Sequence, residues 1–181
     1  MTEPKPAAAP AAAPGVAPGV AKDPVDAIAD QWFAVRPALD TAPMAVFGRI
    51  FRISKAMAEE MDRAYSRYGI VRGEFDVIAT LRRSGSPYTL SPRQLSATLM
   101  LTTGGMTGRL DKLEKAGLLC RKPDPHDRRG LQVTITDRGL GIVDEAVEAG
   151  LNAQRAALTG LDEAEVATLT ALLRKVLAEV P

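Results

Sequence analysis

The chain has 181 residues, and its 23 Lys and Arg against 22 Asp and Glu give a formal charge of +1. Its single Cys excludes a disulfide framework, and one Cys with one His leaves too few ligands for a structural zinc site. No run approaches the roughly 18 apolar residues that a membrane span needs. These values favour a cytoplasmic, globular protein of about one domain, without a metal or cofactor.

The N-terminal segment differs in composition from the rest of the chain. Residues 1–22 are almost entirely Ala, Pro, Gly and Val, and the repeated prolines prevent a helical hydrogen-bond ladder. A secretory signal needs a basic start and a proline-poor apolar stretch, and this segment has neither. We expect a disordered tail over 1–22 and a single folded domain over 23–181.

Helical patterns occupy both ends of the folded part. A short N-terminal helix is predicted within 23–36, because Asp23 can cap it and Pro24 suits its first turn. Apolar residues then recur at the helical period over 43–69 and in two helices over 139–181. Their apolar stripes are wider than one small core requires, so we expect these segments to form mainly the interface of a homodimer.

The middle segment, 71–138, contains a helix pair followed by a hairpin. Ser91, Pro92 and Gln94 have the pattern of an N-cap, a first-turn proline and a capping-box partner. A second helix follows and ends at Gly117, and then the extended runs LLCRKPD and LQVTITD flank the turn PHDRRG. This order predicts a mostly α-helical fold with a small β-hairpin wing, the winged helix-turn-helix, which inserts one helix into a DNA major groove.

Positive charge is concentrated in the same segment. From Arg82 to Arg138 there are 11 Lys and Arg against 5 Asp and Glu, a net of +6, while the rest of the chain has 12 against 17. A solvated basic surface is the more common meaning of such a cluster. Beside a helix pair and a wing, however, it favours binding to double-stranded DNA, because each neutralised phosphate releases counterions.

The run LSPRQLSATLMLTTGGMTGRLDKLEKAGLL, followed by KPDPHDRRGLQVTITDRG, closely resembles the MarR family of winged-helix regulators. The likeness covers about Ala45 to Val180 and includes the wing signature of the family at Asp127 and Arg129. It implies a homodimer on a palindromic operator, with the recognition helices in successive major grooves about 34 Å apart. It does not imply an enzyme, and the sequence has no His beside a nucleophile and no Gly-rich phosphate loop after a strand.

The resemblance also assigns a DNA-binding surface. We predict that it includes threonines at the start of the recognition helix, a lysine later in that helix and two arginines at the wing tip: Thr102, Thr103, Thr107, Lys112, Arg128 and Arg129. Asp127 is expected to hold the wing by an ion pair. Gly104, Gly105 and Gly108 occupy positions where relatives often have polar side chains. We therefore expect DNA recognition to depend on backbone approach and DNA shape.

Four further residues resemble the ligand site of the urate-responsive, PecS- and HucR-like branch of the family. These are Trp32, Asp76, Arg109 and Arg121, and the last three are separated by 33 and 12 positions as in that branch. The resemblance implies that Trp32 and Arg109 hold a small aromatic anion such as urate, which repels Asp76, and that Arg121 transmits the shift. An indole can stack on such an anion and a guanidinium can donate a forked hydrogen bond to it. We expect a repressor that this ligand releases from DNA.

Three alternatives compete with this hypothesis. A redox-responsive repressor would use Cys120, but peroxide-responsive MarR proteins have their cysteine near the N-terminus, and Cys120 falls in a predicted wing strand. A metal sensor would use His126 with Asp124 or Asp127, which lack further nitrogen or sulfur ligands nearby. A constitutive architectural protein would bind DNA without sequence preference and would ignore small anions.

Overall fold

The computed structural model describes residues 21–100, 103–125, 127 and 130–180, and for Thr103 it describes the backbone alone. The chain divides into two compact units, Met1–Ala58 and Glu59–Pro181. Within the described residues, no helix has both the length and the apolar character that a bilayer crossing requires.

The first helix, α1 (Pro24–Val35), has the start and the proline position that the sequence predicts. The carboxylate of Asp23 accepts the N–H groups of Val25 at 2.7 Å and Asp26 at 3.1 Å. In return, the carboxylate of Asp26 accepts the N–H of Asp23 at 2.9 Å. This reciprocal capping box satisfies N–H groups that have no partner inside the helix.

The second helix, α2 (Ala42–Ser66), carries the residues that contact α1 in the first unit. Val25 is buried, and its Cγ1 lies 3.1 Å from the position that a Cβ would take at Gly48. Arg49 pairs with both acids of the α1 capping box, at 2.8 and 2.6 Å. A small residue and an ion-pair network therefore fix the start of α1 against α2.

The core of the second unit is built largely by α3 (Arg72–Arg83), α4 (Pro92–Leu99) and α5 (Thr103–Lys115). Ser91 caps α4 and Gln94 completes the capping box, as predicted. The inward side chains of the three helices lie at helical spacing and are at most 2% exposed: Ile78, Leu81, Leu95, Met106, Leu110 and Leu113. Each such burial contributes roughly 1.5–3 kcal/mol to folding.

The sheet has one strand more than the predicted hairpin. The wing strands β2 (Leu119–Pro123) and β3 (Leu131–Ile135) pair antiparallel, with Arg121 opposite Val133. A two-residue strand, β1 (Thr89–Leu90), pairs with the other edge of β3, so that the order is β1-β3-β2. The wing is thus tied to the residues that precede α4.

Two helices complete the second unit. The first, α6 (Asp137–Ala157), packs on α3, and a Cβ at Gly139 would lie only 2.1 Å from the carbonyl oxygen of Leu118. The last, α7 (Glu163–Glu179), has no buried residue along its described length. Its apolar side chains therefore face solvent in the single chain.

Candidate DNA-binding surface and anion site

The recognition helix, α5, buries one face and exposes the other. Met106, Leu110 and Leu113 are inside, whereas Thr107 is exposed. A Cβ added at Gly104 or Gly108 would meet no atom within 4 Å. At these two glycines no side chain projects from the outer face of α5, so a DNA backbone can approach the helix backbone closely.

The predicted contact Lys112 lies on this helix with its side chain 74% exposed. Its Nζ is 3.9 Å from a carboxylate oxygen of Glu74, a residue that is only 8% exposed. The other oxygen of Glu74 accepts the N–H of Val71 at 3.0 Å and so caps α3. The sequence interpretation missed Glu74, although a Glu in the first turn of a helix is a recognised capping pattern. An exposed ammonium at this distance remains able to reach a phosphate.

The wing strand β2 is joined to α5 by Arg121. Its Nη1 lies 2.7 Å from Asp111, and its Nε and Nη2 donate to Glu114 at 2.9 and 2.5 Å. The backbone N–H of Arg121 also donates to Glu114, at 2.9 Å. Hydrogen bonds from the side chain and backbone of Arg121 hold the pKa of Glu114 below its usual value. Glu114 and then Asp111 raise the pKa of Arg121. The acidic partners of Arg121 were not foreseen from the sequence.

The wing tip is only partly described. At Asp127 the backbone carbonyl accepts the N–H of Gly130 at 2.8 Å. The ion pair proposed for Asp127 stays a prediction. Several predicted or alternative site residues lie outside the described residues: Thr102, His126, Arg128 and Arg129. The same holds for the side chain of Thr103.

Arg109 points from α5 toward the start of α3. Its Nη1 donates to the carbonyl oxygen of Gly73 at 3.2 Å. A Cβ at Gly73 would lie 2.6 Å from the Cζ of Arg109 and 2.9 Å from both terminal nitrogens. Only a residue without a side chain leaves room for the guanidinium here. The remaining N–H groups of Arg109 have no acceptor among the described residues.

Asp76 lies one helical turn after Gly73 on α3, and residues at this spacing share a helix face. It is half-buried, and its carboxylate makes no hydrogen bond or ion pair with any described residue. Burial, and then the negative charge of Asp76, raise the pKa of Tyr65. The structure thus places an unpaired carboxylate near the helix start that holds the guanidinium of Arg109.

Trp32 belongs to the first unit, where it lies near the end of α1 and is 41% exposed. Its carbonyl oxygen accepts the N–H of Arg36 at 2.8 Å, which closes the helix. Trp32 is therefore not a fully buried core residue of that unit, and its indole has surface available for contact.

Cys120 is half-buried in strand β2, opposite Thr134 of β3. This position agrees with a small hydrophobic residue of a strand. In the part of the chain that the structure describes, Cys120 is the one free cysteine.

A groove of about 830 Å³ lies elsewhere in the second unit, between the end of α2 and α6. The wall at the end of α2 includes Arg63 and Arg67, and the α6 wall includes the acids Glu145 and Glu148. The groove contains none of the side chains that the sequence assigns to DNA or to the anion.

The family model of the MarR family matches residues 68–130, from just before α3 to the wing tip. The HTH-type transcriptional regulator PecS of Dickeya dadantii is 40% identical over 152 residues, which cover 84% of this chain and 92% of that protein. The multiple antibiotic resistance protein MarR of Escherichia coli is 30% identical over 131 residues, which cover 70% and 89%.

Solved structures agree with these relatives. A cysteine-to-serine variant of Escherichia coli MarR complexed with operator DNA has a TM-score of 0.64 and 26% identity, over 81% of this chain and 97% of that one. The wild-type protein in its apo form has a TM-score of 0.62 and 29% identity, over 72% and 95%. The likeness therefore extends over nearly the whole length of both known chains.

Proposed function

Because the chain belongs to the PecS branch of the MarR family of winged-helix transcriptional regulators, we propose that it is a ligand-responsive repressor. In this proposal it binds a palindromic operator as a homodimer in the cytoplasm. A small aromatic anion, with urate as the first candidate, releases it from DNA.

The main support for the DNA-binding part of this proposal is the exposed face of α5 beside the wing. The apolar side of α5 is buried in the second unit, and the opposite side presents Thr107, Lys112 and two glycines. A Cβ added at either glycine would meet no atom within 4 Å. A helix of this kind fits a major groove, and a neighbouring β-ribbon fits the adjacent groove or backbone. Escherichia coli MarR, which has the same fold, is known in complex with operator DNA.

The homodimer is supported by apolar side chains that one chain leaves exposed. In the second unit they lie on α6, at its C-cap and on α7, and they are 37–74% exposed: Val147, Leu151, Leu158, Leu169, Leu172, Leu173 and Leu177. A run of this size on a monomer is typical of a protein interface. A second copy is the simplest partner, because a two-fold dimer matches a palindromic operator.

Arg109 and Asp76 support the anion part. The guanidinium of Arg109 is oriented by the Gly73 carbonyl and has further N–H groups to donate to an anion. An anion about 4 Å from Asp76 is repelled by roughly 4 kcal/mol at an effective dielectric of 20, before desolvation reduces this value. Because no described partner holds the Asp76 carboxylate, it can move away and disturb the contact between α3 and α5.

This movement links ligand binding to DNA release. Arg109 lies on the helix that contacts DNA, so a ligand that shifts α5 lowers DNA affinity by the coupling free energy, typically 1–3 kcal/mol. In this proposal Arg121 extends the shift to the wing, because its ion pairs join α5 to strand β2. From the resemblance, we propose that the indole of Trp32 stacks on the aromatic ring of the ligand.

The experiment measures urate binding and DNA release separately. A duplex is first selected from random sequences by the unchanged protein, and urate is then titrated against the complex and against the protein alone. We expect Arg109→Gln and Trp32→Phe each to weaken urate binding at least tenfold. Asp76→Asn should bind urate at least as tightly as the unchanged protein but lose most of the release, because the repulsion is gone. Arg63→Gln, an exposed arginine on α2, is the control and should change neither.

Three results contradict parts of the proposal. Urate release that survives the double variant Arg109→Gln with Trp32→Phe removes these residues from the ligand site. Selection that yields no preferred sequence supports a constitutive architectural protein instead. Release by peroxide that Cys120→Ser abolishes supports the redox alternative.

A further inference from the structure

The recognition helix α5 carries two acidic residues that make no favourable contribution to a DNA-binding surface. Asp111 and Glu114 are one helical turn apart, in the part of the chain where Lys and Arg dominate. Acids on a DNA-binding helix repel phosphate, so their presence calls for a physical reason. Both point at the same guanidinium, that of Arg121 on the wing strand β2.

Glu114 fixes the strand as well as the side chain of Arg121. One of its oxygens accepts the backbone N–H of Arg121, and the other accepts Nε and Nη2. Because β2 is an edge strand of the sheet, this N–H faces away from β3 and needs another acceptor. Glu114 therefore attaches the backbone of the wing to the recognition helix.

The same contacts make Arg121 a poor ligand for phosphate. Its side chain is only 25% exposed and is neutralised by two carboxylates. Its charge is thus used inside the protein, although it belongs to the basic segment.

We infer that Asp111 and Glu114 are positioning residues for DNA binding, which hold the wing at a fixed angle to α5 through Arg121. A winged helix must place its helix and its wing on DNA together. When the angle between them is fixed beforehand, less conformational freedom is lost on binding, and affinity rises. This inference rests on the DNA-binding role proposed above.

The inference and simple electrostatics predict opposite signs. If Glu114 acts only through its charge, Glu114→Gln removes a repulsion and strengthens DNA binding. If Glu114 positions the wing, the same change weakens binding. Asp137→Asn is a matched control, because Asp137 is an exposed acid of the same segment that makes no ion pair with any described residue.

The experiment measures the affinity of the full chain for its selected duplex at several salt concentrations. We expect Glu114→Gln to weaken binding about three- to tenfold and Asp137→Asn to leave it unchanged or strengthen it. Arg121→Gln should weaken binding to a similar degree without lowering the salt slope, since it loses no phosphate contact. The double variant Glu114→Gln with Arg121→Gln should lose no more than either single variant, because both break one unit.

Several results overturn the inference. Glu114→Gln that binds the duplex as tightly as the unchanged protein, or more tightly, excludes a positioning role. A salt slope that falls by about 0.9 in Arg121→Gln shows a phosphate contact, and additive losses in the double variant show independent action. Circular dichroism and melting temperature confirm that each variant is folded. If the unchanged protein selects no duplex, the proposed function fails before this inference is tested.

Discussion

Gly73→Ala is the substitution that tests the placement of Arg109 most directly. A Cβ at this position would lie 2.6 Å from the Cζ of Arg109, and ordinary van der Waals contact begins at 3.4 Å. The guanidinium must therefore retreat by about 0.8 Å, the difference between these distances. Its hydrogen bond to the Gly73 carbonyl is already 3.2 Å long, so this movement breaks it.

The effect on folding should be small, because two contributions oppose each other. A hydrogen bond from a charged group contributes roughly 1.5–3 kcal/mol, and about 1 kcal/mol is reasonable for this long bond. Alanine favours the helix over glycine by up to about 1 kcal/mol. We expect the free energy of unfolding to change by less than about 1 kcal/mol. Affinity for urate, the proposed ligand, should fall about tenfold, or about 1.4 kcal/mol, because the guanidinium is no longer oriented.

Calorimetric titration of urate and thermal unfolding of the same preparations measure both quantities. Gly141→Ala is the matched control, since a Cβ at this helical glycine of α6 meets nothing within 4 Å. It should keep urate affinity and change stability only through helix propensity. A folded Gly73→Ala protein that binds urate within twofold of the unchanged chain would refute the reasoning about Arg109.

Three other substitutions or conditions test separate parts of the structure. Gly139→Ala should destabilise the fold by about 3 kcal/mol in urea unfolding, because its Cβ would lie 2.1 Å from the Leu118 carbonyl oxygen. The N–H of Asp23 and then Arg49 lower the pKa of Asp26. The stabilisation of α1 by the Asp26 carboxylate is therefore complete well above about pH 4 and is lost as the pH falls below that value. The fluorescence of Trp32, the one tryptophan of the sequence, can report this loss. Leu177→Glu, at a side chain 74% exposed on α7, should convert the proposed homodimer to monomer in analytical ultracentrifugation.

Local signals predicted the helix starts well. Asp23 with Pro24, and Ser91 with Pro92 and Gln94, determine where α1 and α4 begin, and the structure confirms both. A capping box acts within four residues, so its geometry is determined by neighbours in the chain. The core of the second unit was equally accessible, because helical spacing brings apolar residues to one face.

Contacts between distant residues were not accessible in the same way. Strand β1 has only two residues, and it forms because Thr89 and Leu90 pair with β3, more than forty residues away. The partners of Arg121 depend on how β2 packs against α5. The long stripe of α2 is apolar as predicted, yet Phe47 and Phe51 are 52% and 70% exposed in the single chain. Periodicity shows that a face is apolar, but it does not show what covers that face.

The sequence count also overestimates the positive charge that the segment from Arg82 to Arg138 can offer to DNA. Counting residues gives 11 Lys and Arg between Arg82 and Arg138, yet several are directed toward the protein. Arg82 pairs with Asp144 at 2.9 Å, Arg121 pairs with two acids, and Arg109 donates to a backbone carbonyl. Since the salt dependence of DNA binding counts only cations that meet phosphate, its slope should correspond to distinctly fewer contacts than the sequence suggests. Three arginines of the basic segment therefore orient its helices and wing, and the positive charge left for DNA lies on exposed side chains such as Lys112.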